Sequence, residues 1–569
     1  MKELNDSPHS PIEQWEKAGN TLVIAFKEYV GLCQGLAAEP LQEGANANDL
    51  ISRIDSSLKG IHETISRQLN ESKVALARAR NKFASPLFRF PEEILSEIFM
   101  NFVYGNIAEP FELLSMEQEV WIIYRRLYTL LGVCATWKDI LMARGEFWSV
   151  IPIISGPSAA EWRPFDLSLK RAGGSRLHLA ASIERADTPD ELGEILAGYG
   201  PRFRAIDINV VRVGEFSNVM EELLQHSASW PLSELSIRCA YTFRELGVPE
   251  EYRYIFPRNS PQQVAFASMV RNLVAFRICG APVRWDNLVF STQLVELRIQ
   301  EVVLGYDDAI LSFVQALSSA PNLRDLKIIA MTTFHNFTAQ APAPPSPITL
   351  PGLRSLLIEN FYLNTLEYLV QIIAPVSYDF TLFPNHKIFV DNIPSTVIVI
   401  GVDTEETRRA RICKALNQIP VDTLVISGYF NPDWLETTDF LEFLMAMPTL
   451  KTLRMNDWYF DKDLCQGITR INNDRTPAED DIFPALRNLY LSQIGIPDAE
   501  CFQSMIASHP LQLVVLEGSF CSGQSTSHEP WQENSRIVEW LRRNIPDLEL
   551  RLVGASHAPE LYSKHWRLW

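Results

Sequence analysis

From about residue 200 onward one six-residue phrase keeps returning, with apolar side chains at its first, fourth and sixth positions. It reads Leu232-Ser-Glu-Leu235-Ser-Ile237, and it recurs at Leu273, Leu294, Leu323, Leu353, Val421, Leu450, Leu486 and Leu511. Weaker copies start near Phe203, Pro394 and Leu548. The twelve starts have a mean spacing of about 31 residues, with single gaps from 21 to 41. In an extended strand alternate side chains share a face, so the fourth and sixth positions point inward together while the residue between them points out. A strand this short cannot stand alone and must pair with its copies. The intervals carry helical patterns at 215–228, 307–320, 363–374, 403–419, 433–447, 498–509 and 534–545. Several of these end just ahead of a proline, as at Pro321, Pro448 and Pro546, which stops the helix and commits the chain to an extended form. Strand, helix and strand in alternation predict an α/β fold whose parallel strands are joined by helical crossovers.

The phrase and its spacing resemble an irregular leucine-rich repeat, which implies a solenoid with a curved parallel sheet over residues 151–569. The outward position between the second and third apolar residues is repeatedly basic, as Arg277, Arg298, Lys327 and Arg454. A basic stripe of this kind suits binding of an acidic or phosphorylated target protein. The same residues equally suit pairing with Glu296 and Asp325, two positions earlier on the same faces. The segment 339–351 (AQAPAPPSPITLP) is a proline-rich excursion between two copies, and Glu479-Asp480-Asp481 is an acidic one.

Residues 1–83 form a separate helical, coiled-coil-like region. Helices are expected over 12–37 and 51–82, with a turn at 39–48. In the second helix Ile51, Ile54, Leu58, Ile61, Ile65, Leu69, Leu76 and Ala79 follow three-four spacing. That seam fits half of a coiled coil or a helix folded back on its own chain.

Residues 84–150 make a third region. Pro91 stands where a first helical turn tolerates proline, Glu92 and Glu93 meet the positive end of the helix dipole, and Ile94, Leu95, Ile98, Phe99 and Phe102 read as one apolar stripe. A further helical stretch over 118–131 leads into Leu131-Gly-Val133-Cys134-Ala-Thr-Trp137-Lys-Asp-Ile140 and then Phe147-Trp148. In order and spacing, Phe90-Pro91-Glu-Glu-Ile94-Leu95-Ser-Glu-Ile-Phe99, Leu130, Val133, Cys134, Trp137, Ile140 and Phe147-Trp148 resemble the F-box-like domain. The resemblance covers roughly residues 85–150, and the preceding heptad-like helix is similar to the arrangement in fungal F-box proteins. Two departures stand out: Phe90 occupies a position usually held by leucine, and the stretch from Phe99 to Val133 is about twice the usual length. The resemblance implies docking on a Skp-type adaptor, and through it on a cullin, by Pro91, Ile94, Leu95, Phe99, Val133, Cys134 and Trp137. It also implies that the repeat array holds the protein to be ubiquitinated in an SCF-type ligase. The competing reading is a protein-interaction scaffold in which residues 85–150 only cap the array.

Composition narrows the partners. Lys+Arg 51 against Asp+Glu 69 give a net charge of -18, which argues against nucleic acid and anionic membrane. The excess lies beyond the first helices: residues 1–90 carry 11 basic and 11 acidic side chains. The eight cysteines have no CxxC pair, so buried thiols in a reducing compartment are expected, with no metal or cofactor. No phosphate-binding glycine loop, G-x-S-x-G or H-E-x-x-H occurs, and His62-Glu-Thr-Ile-Ser66 has serine in place of the second imidazole; a non-enzyme is expected. The N-terminus lacks a secretory apolar stretch and no run approaches 18 apolar residues, so the expected location is cytoplasmic or nuclear.

Overall fold

The computed structural model describes residues 10–38, 47–84, 87, 90–105, 115–154, 164–183, 188–211, 213–226, 230–239, 254–281, 283–285, 288–336, 347–373, 378–394, 404–428, 435–470, 483–522, 529–545 and 547–554. The chain divides into two compact units, Met1–Pro91 and Glu92–Trp569.

The first unit is helical. Helix α1 (Pro11–Ala38) is followed by α2 (Ala47–Ser57), a π-helical turn (Leu58–His62) and α3 (Glu63–Ala84). The Tyr29 hydroxyl lies 3.3 Å from Ser57 Oγ, and its ring centroid is 6.0 Å from that of His62. The chain therefore doubles back as a hairpin, with Tyr29 of α1 set against Ser57 and His62. No described residue of this unit is buried; Tyr29, Leu50, Ser57 and Ile65 are half-buried and the others exposed.

The second unit opens with three helices, α4 (Glu92–Tyr104), α5 (Met116–Val133) and α6 (Ala135–Ala143). Ser115 and Gln118 form a reciprocal capping box that starts α5. Arg126 closes the other end of α4, its Nη1 donating to the carbonyls of Phe102 (2.8 Å) and Gly105 (3.2 Å). Strands follow in the order β1 (Val150–Ile153), β2 (Leu177–Ile183), β3 (Phe203–Val210), β4 (Glu234–Cys239), β5 (Ala275–Cys279), β6 (Glu296–Gln300), β7 (Val303–Tyr306), β8 (Asp325–Ile329) and β9 (Thr332–Phe334). They continue as β10 (Ser355–Glu359), β11 (Asp379–Phe383), β12 (Thr423–Ser427), β13 (Thr452–Asn456), β14 (Asn488–Ile496), β15 (Leu513–Ser522), β16 (Glu529–Pro530) and β17 (Glu549–Val553).

Fifteen of these form one sheet, in which each strand from β1 to β15 pairs with its neighbours in chain order once β7 and β9 are set aside; those two make a small parallel sheet of their own. All pairings in the large sheet are parallel except that of β16 with β15. Parallel pairing needs a long return path, and helices supply most of it. They include Ala309–Leu317, Leu363–Ile372, Glu405–Asn417, Thr437–Met445, Ala499–Ser508 and Arg536–Asn544, each inside an interval that reads as helical, and Val213–His226, which starts and ends two residues before the expected 215–228. The fold is mixed α/β with a large, mostly parallel sheet.

Nine strong copies of the phrase form β4, β5, β6, β8, β10 and β12–β15, and the copies near Phe203 and Leu548 form β3 and β17. The inward pair of each of these strands except β17 is buried, as Leu297 and Ile299 in β6 are, while Leu550 and Leu552 of β17 are half-buried. The copy expected from Pro394 falls largely on 395–400, outside the described residues; the strand between β10 and β12 lies earlier, with Phe380 and Leu382 as its buried pair. The sheet also begins before the first recognised copy, with β1 and β2. The acidic run 479–481 and most of the proline-rich excursion lie outside the described residues.

The residue after a strand repeatedly adopts positive φ: Gly280, Glu301, Ala330, Asn360 and Asp457. Their N–H groups donate to carbonyls of the next strand or the residue that ends it, for example Glu301 to Ile329 at 2.9 Å and Ala330 to Glu359 at 2.7 Å. The left-handed residue thus turns the chain out of the sheet while the ladder gains one more bond. At Gly280 the turn admits only glycine, because a Cβ would stand 2.4 Å from the Cys239 carbonyl oxygen.

Cys239, Cys279 and Cys465 are buried, but Cys33 is exposed and the other four are half-buried, so uniform burial of the thiols does not hold. Among the described residues no helix is long and apolar enough to cross a membrane.

Candidate functional site

Two surfaces carry the residues singled out in the sequence. The first is built on α4. Its apolar stripe splits into two adjacent ridges. Leu95, Phe99 and Val103 turn inward, where the Phe99 ring lies 4.7 Å from that of Trp137. Ile94, Ile98 and Phe102 repeat at i, i+4 and i+8 and remain exposed, with the Arg126 guanidinium 5.3 Å over the Phe102 ring.

This division corrects part of the expected adaptor surface. Leu95 and Phe99 are only 3% and 2% exposed, so neither is available to a partner. Pro91 is exposed, Ile94 and Val133 are 47% and 51% exposed, and Cys134 and Trp137 are half-buried. Ile98 and Phe102 join Ile94 on the outer ridge, although the sequence reading gave them no contact role. The buried side chains around these helices have a different task. Trp148 donates to the Leu141 carbonyl at 2.9 Å, and the buried Tyr124 hydroxyl donates to the Val150 carbonyl at 2.8 Å with Ser168 Oγ beside it at 2.6 Å. Burial raises the Tyr124 phenol well above its ordinary range, so it stays neutral and holds α5 to β1. The outer surface of α5 adds a groove lined by Trp121, Tyr124, Arg125, Tyr128 and Thr129, with Arg125 5.2 Å over the Trp121 ring.

The second surface is the outward face of the sheet. Arg277, Arg298 and Lys327 stand in register on β5, β6 and β8. Leu357 and Thr381 continue that row on β10 and β11, and Arg454 lies apart on β13. The four cations are therefore not one stripe.

Arg277 is already clasped: Nε and Nη2 donate to the two Glu296 carboxylate oxygens at 2.8 and 2.6 Å, with Glu234 3.9 Å from Nη1. Burial opposes both charges, yet the bidentate bond outweighs it, lowering the Glu296 carboxyl below its usual range and raising the guanidinium. The pairing of Glu296 thus runs to Arg277, one strand back, rather than to Arg298 as the sequence suggested. Arg298 donates to Gln300 Oε1 at 2.8 Å, and burial holds its guanidinium below its ordinary value. The Arg454 guanidinium stacks 4.0 Å over Tyr490 on the neighbouring strand. Arg277, Arg298 and Arg454 of the four expected target-binding cations are thus engaged within the face, and Lys327 is half-buried beside Arg298, where its charge also acts on Glu296.

Near the small β7–β9 sheet, buried Asp307 accepts from Thr333 Oγ1 (2.6 Å) and Asn364 Nδ2 (2.7 Å), and His335 Nδ1 lies 3.4 Å from its other oxygen. Asn392 donates through its backbone N–H to Asn364 Oδ1 and through its side chain to the Thr333 carbonyl. The members lie on β9 (Thr333), in the helix Leu363–Ile372 (Asn364) and in the segments beside them, so the network reads as a clamp between successive elements rather than a reaction centre. Among the described residues no group of three His, Cys, Asp or Glu side chains could hold a metal ion. Comparison of the whole chain with protein-family models and with curated proteins finds no match in either.

Proposed function

We propose that the chain is the non-catalytic substrate-recognition subunit of an SCF-type cullin-RING ubiquitin ligase. In this reading α4–α6 are an F-box-like domain that docks a Skp-type adaptor, and the sheet with its helices is a leucine-rich-repeat solenoid that holds the target. The observation that carries the proposal is the outer ridge of α4. Ile94, Ile98 and Phe102 present apolar surface to solvent on the very helix whose inner ridge secures the domain, within a segment whose sequence resembles the F-box-like pattern in order. A helix built only as a cap has no need of that second ridge. The contribution to ubiquitin transfer is proximity: holding target and charged conjugating enzyme in one assembly raises the local concentration of the accepting lysine.

Co-expression with a Skp-type adaptor and size-exclusion chromatography test the reading, with Ile94→Asp, Phe102→Asp as the surface variant. Co-elution of the wild type that is lost in the folded variant is expected. A wild type that stays apart from the adaptor would instead favour the scaffold reading. That alternative has its own support: the buried residues of α4–α6 belong to the same hydrophobic core as the strands, so these helices cover the sheet's first edge whatever else they do.

A further inference from the structure

We infer that the N-terminal helical hairpin is a homodimerisation module, in which the hairpins of two copies pack into a four-helix bundle. The hairpin is stabilised by too little of its own surface. Among its described residues none is buried, yet seventeen large apolar side chains between residues 11 and 84 are exposed. On α1 the residues Trp15, Leu22, Phe26, Tyr29 and Cys33 recur at heptad spacing, and Ile12, Val23 and Val30 extend the same arc to one side. At the helical repeat the combined arc is about 120° wide. One neighbouring helix covers only the narrow seam of a two-stranded coil; an arc this broad belongs to a helix with two neighbours, as in a bundle. In the hairpin α1 has one. Tyr29, at the margin of the arc, is the residue that meets α2–α3, while Trp15, Phe26 and Val30 remain open to solvent.

Charge identifies a second copy as the occupant. Residues 1–90 are neutral overall, whereas the whole chain carries -18, so this is the part of the protein that meets no net repulsion from itself. The neutrality is also divided: residues 1–50 hold 3 basic and 8 acidic side chains, and residues 51–90 hold 8 basic and 3 acidic. A two-fold contact that sets α1 of one copy against α2–α3 of the other joins acidic half to basic half twice, which is the self-complementarity an isologous interface requires. The available surface is sufficient. A standard interface takes about 800 Å² from each partner, somewhat more than half of it apolar; the six exposed large apolar side chains of the α1 arc and the eight on α2–α3, at roughly 30–60 Å² each, supply on the order of 400–800 Å².

The test is the mass of the full chain in solution, by light scattering coupled to size exclusion without adaptor. The expected mass is twice 64.7 kDa at micromolar concentration. Phe26→Glu, Val30→Glu should return it to the single-chain mass. Leu32→Glu, exposed on the same helix but outside the arc, should leave the dimer intact. Circular dichroism and the thermal transition of the sheet unit show that each variant is folded. A single-chain wild type would overturn the inference and assign the apolar arc to another occupant. A dimer that persists in the folded double variant would overturn it too, by moving the interface away from this arc.

Discussion

Substituting alanine for Gly280 separates two effects that usually arrive together. Gly280 and Gly518 have nearly the same left-handed backbone, with φ of +64° and +66°. They differ in what a new Cβ would meet: the Cys239 carbonyl oxygen at 2.4 Å for Gly280, and Gln493 Cγ at 3.7 Å for Gly518. The left-handed conformation costs an L-residue about 1–2 kcal/mol in either place. At Gly280 the clash adds about 1–3 kcal/mol of overpacking, because Cys239 ends β4 and is held by the pairing of β4 with β5. Gly518→Ala should therefore lose about 1–2 kcal/mol and Gly280→Ala about 2–5 kcal/mol. Urea unfolding followed by intrinsic fluorescence would rank the two, and amide exchange around β4 and β5 would locate the damage. If Gly280→Ala unfolds at no lower urea than Gly518→Ala, the close backbone approach that explains this glycine is wrong.

Three further outcomes follow from the same structure. Phe99→Ala should destabilise by about 3–5 kcal/mol, since it empties a buried site and loses the Trp137 ring contact, whereas Phe102→Ala on the exposed ridge should cost under about 1 kcal/mol; equal losses in thermal unfolding would refute the division of α4 into two ridges. A double-mutant cycle on Arg277→Ala and Glu296→Ala should give a coupling of about 1–3 kcal/mol, and a value near zero would mean that the cross-strand clasp is absent in solution. His509 is buried with Nε2 2.9 Å from the Ile468 carbonyl, and burial pushes its imidazole down to about 4. The unfolded chain takes up this proton near pH 6.5 and the folded chain only near 4, so stability is complete above about pH 7 and falls by about 1.4 kcal/mol per pH unit between those values, roughly 3 kcal/mol in all. His509→Gln should flatten that part of the pH profile, and an unchanged slope would show that another group is responsible.

Much of the sheet could be read directly because its inward residues obey a strict local rule. Leu297 and Ile299, or Leu453 and Met455, sit at fixed offsets in a short strand, and the helices between strands carry their own periodicity. β11 escaped because Phe380 and Leu382 lack the leading leucine of the other copies. The left-handed turns were also hidden, since Glu301 and Ala330 are not residues that advertise positive φ. The α4 stripe failed for a geometric reason. Ile94, Ile98 and Phe102 form a ridge only about 100° around the helix from Leu95, Phe99 and Val103, and both ridges are equally apolar. Which of them faces the core is decided by Trp137 and the α5 helix, tertiary partners whose approach no local pattern encodes. The sheet cations show the same limit: their outward position was legible, but not the register that delivers Glu296 to Arg277.

The order of strands in the large sheet carries a consequence for how the molecule yields. Up to β15, with β7 and β9 set aside, each strand pairs with the strands before and after it in the chain, so the pairings stay short in sequence and, among the described residues, no strand far downstream pairs with the beginning. Pulled from its ends, such a sheet has no single bond whose failure releases everything. It should peel strand by strand, in a sawtooth of small force steps, and re-form from whatever remains. A protein with this design can sacrifice its last repeats to strain or to a protease and keep the rest folded.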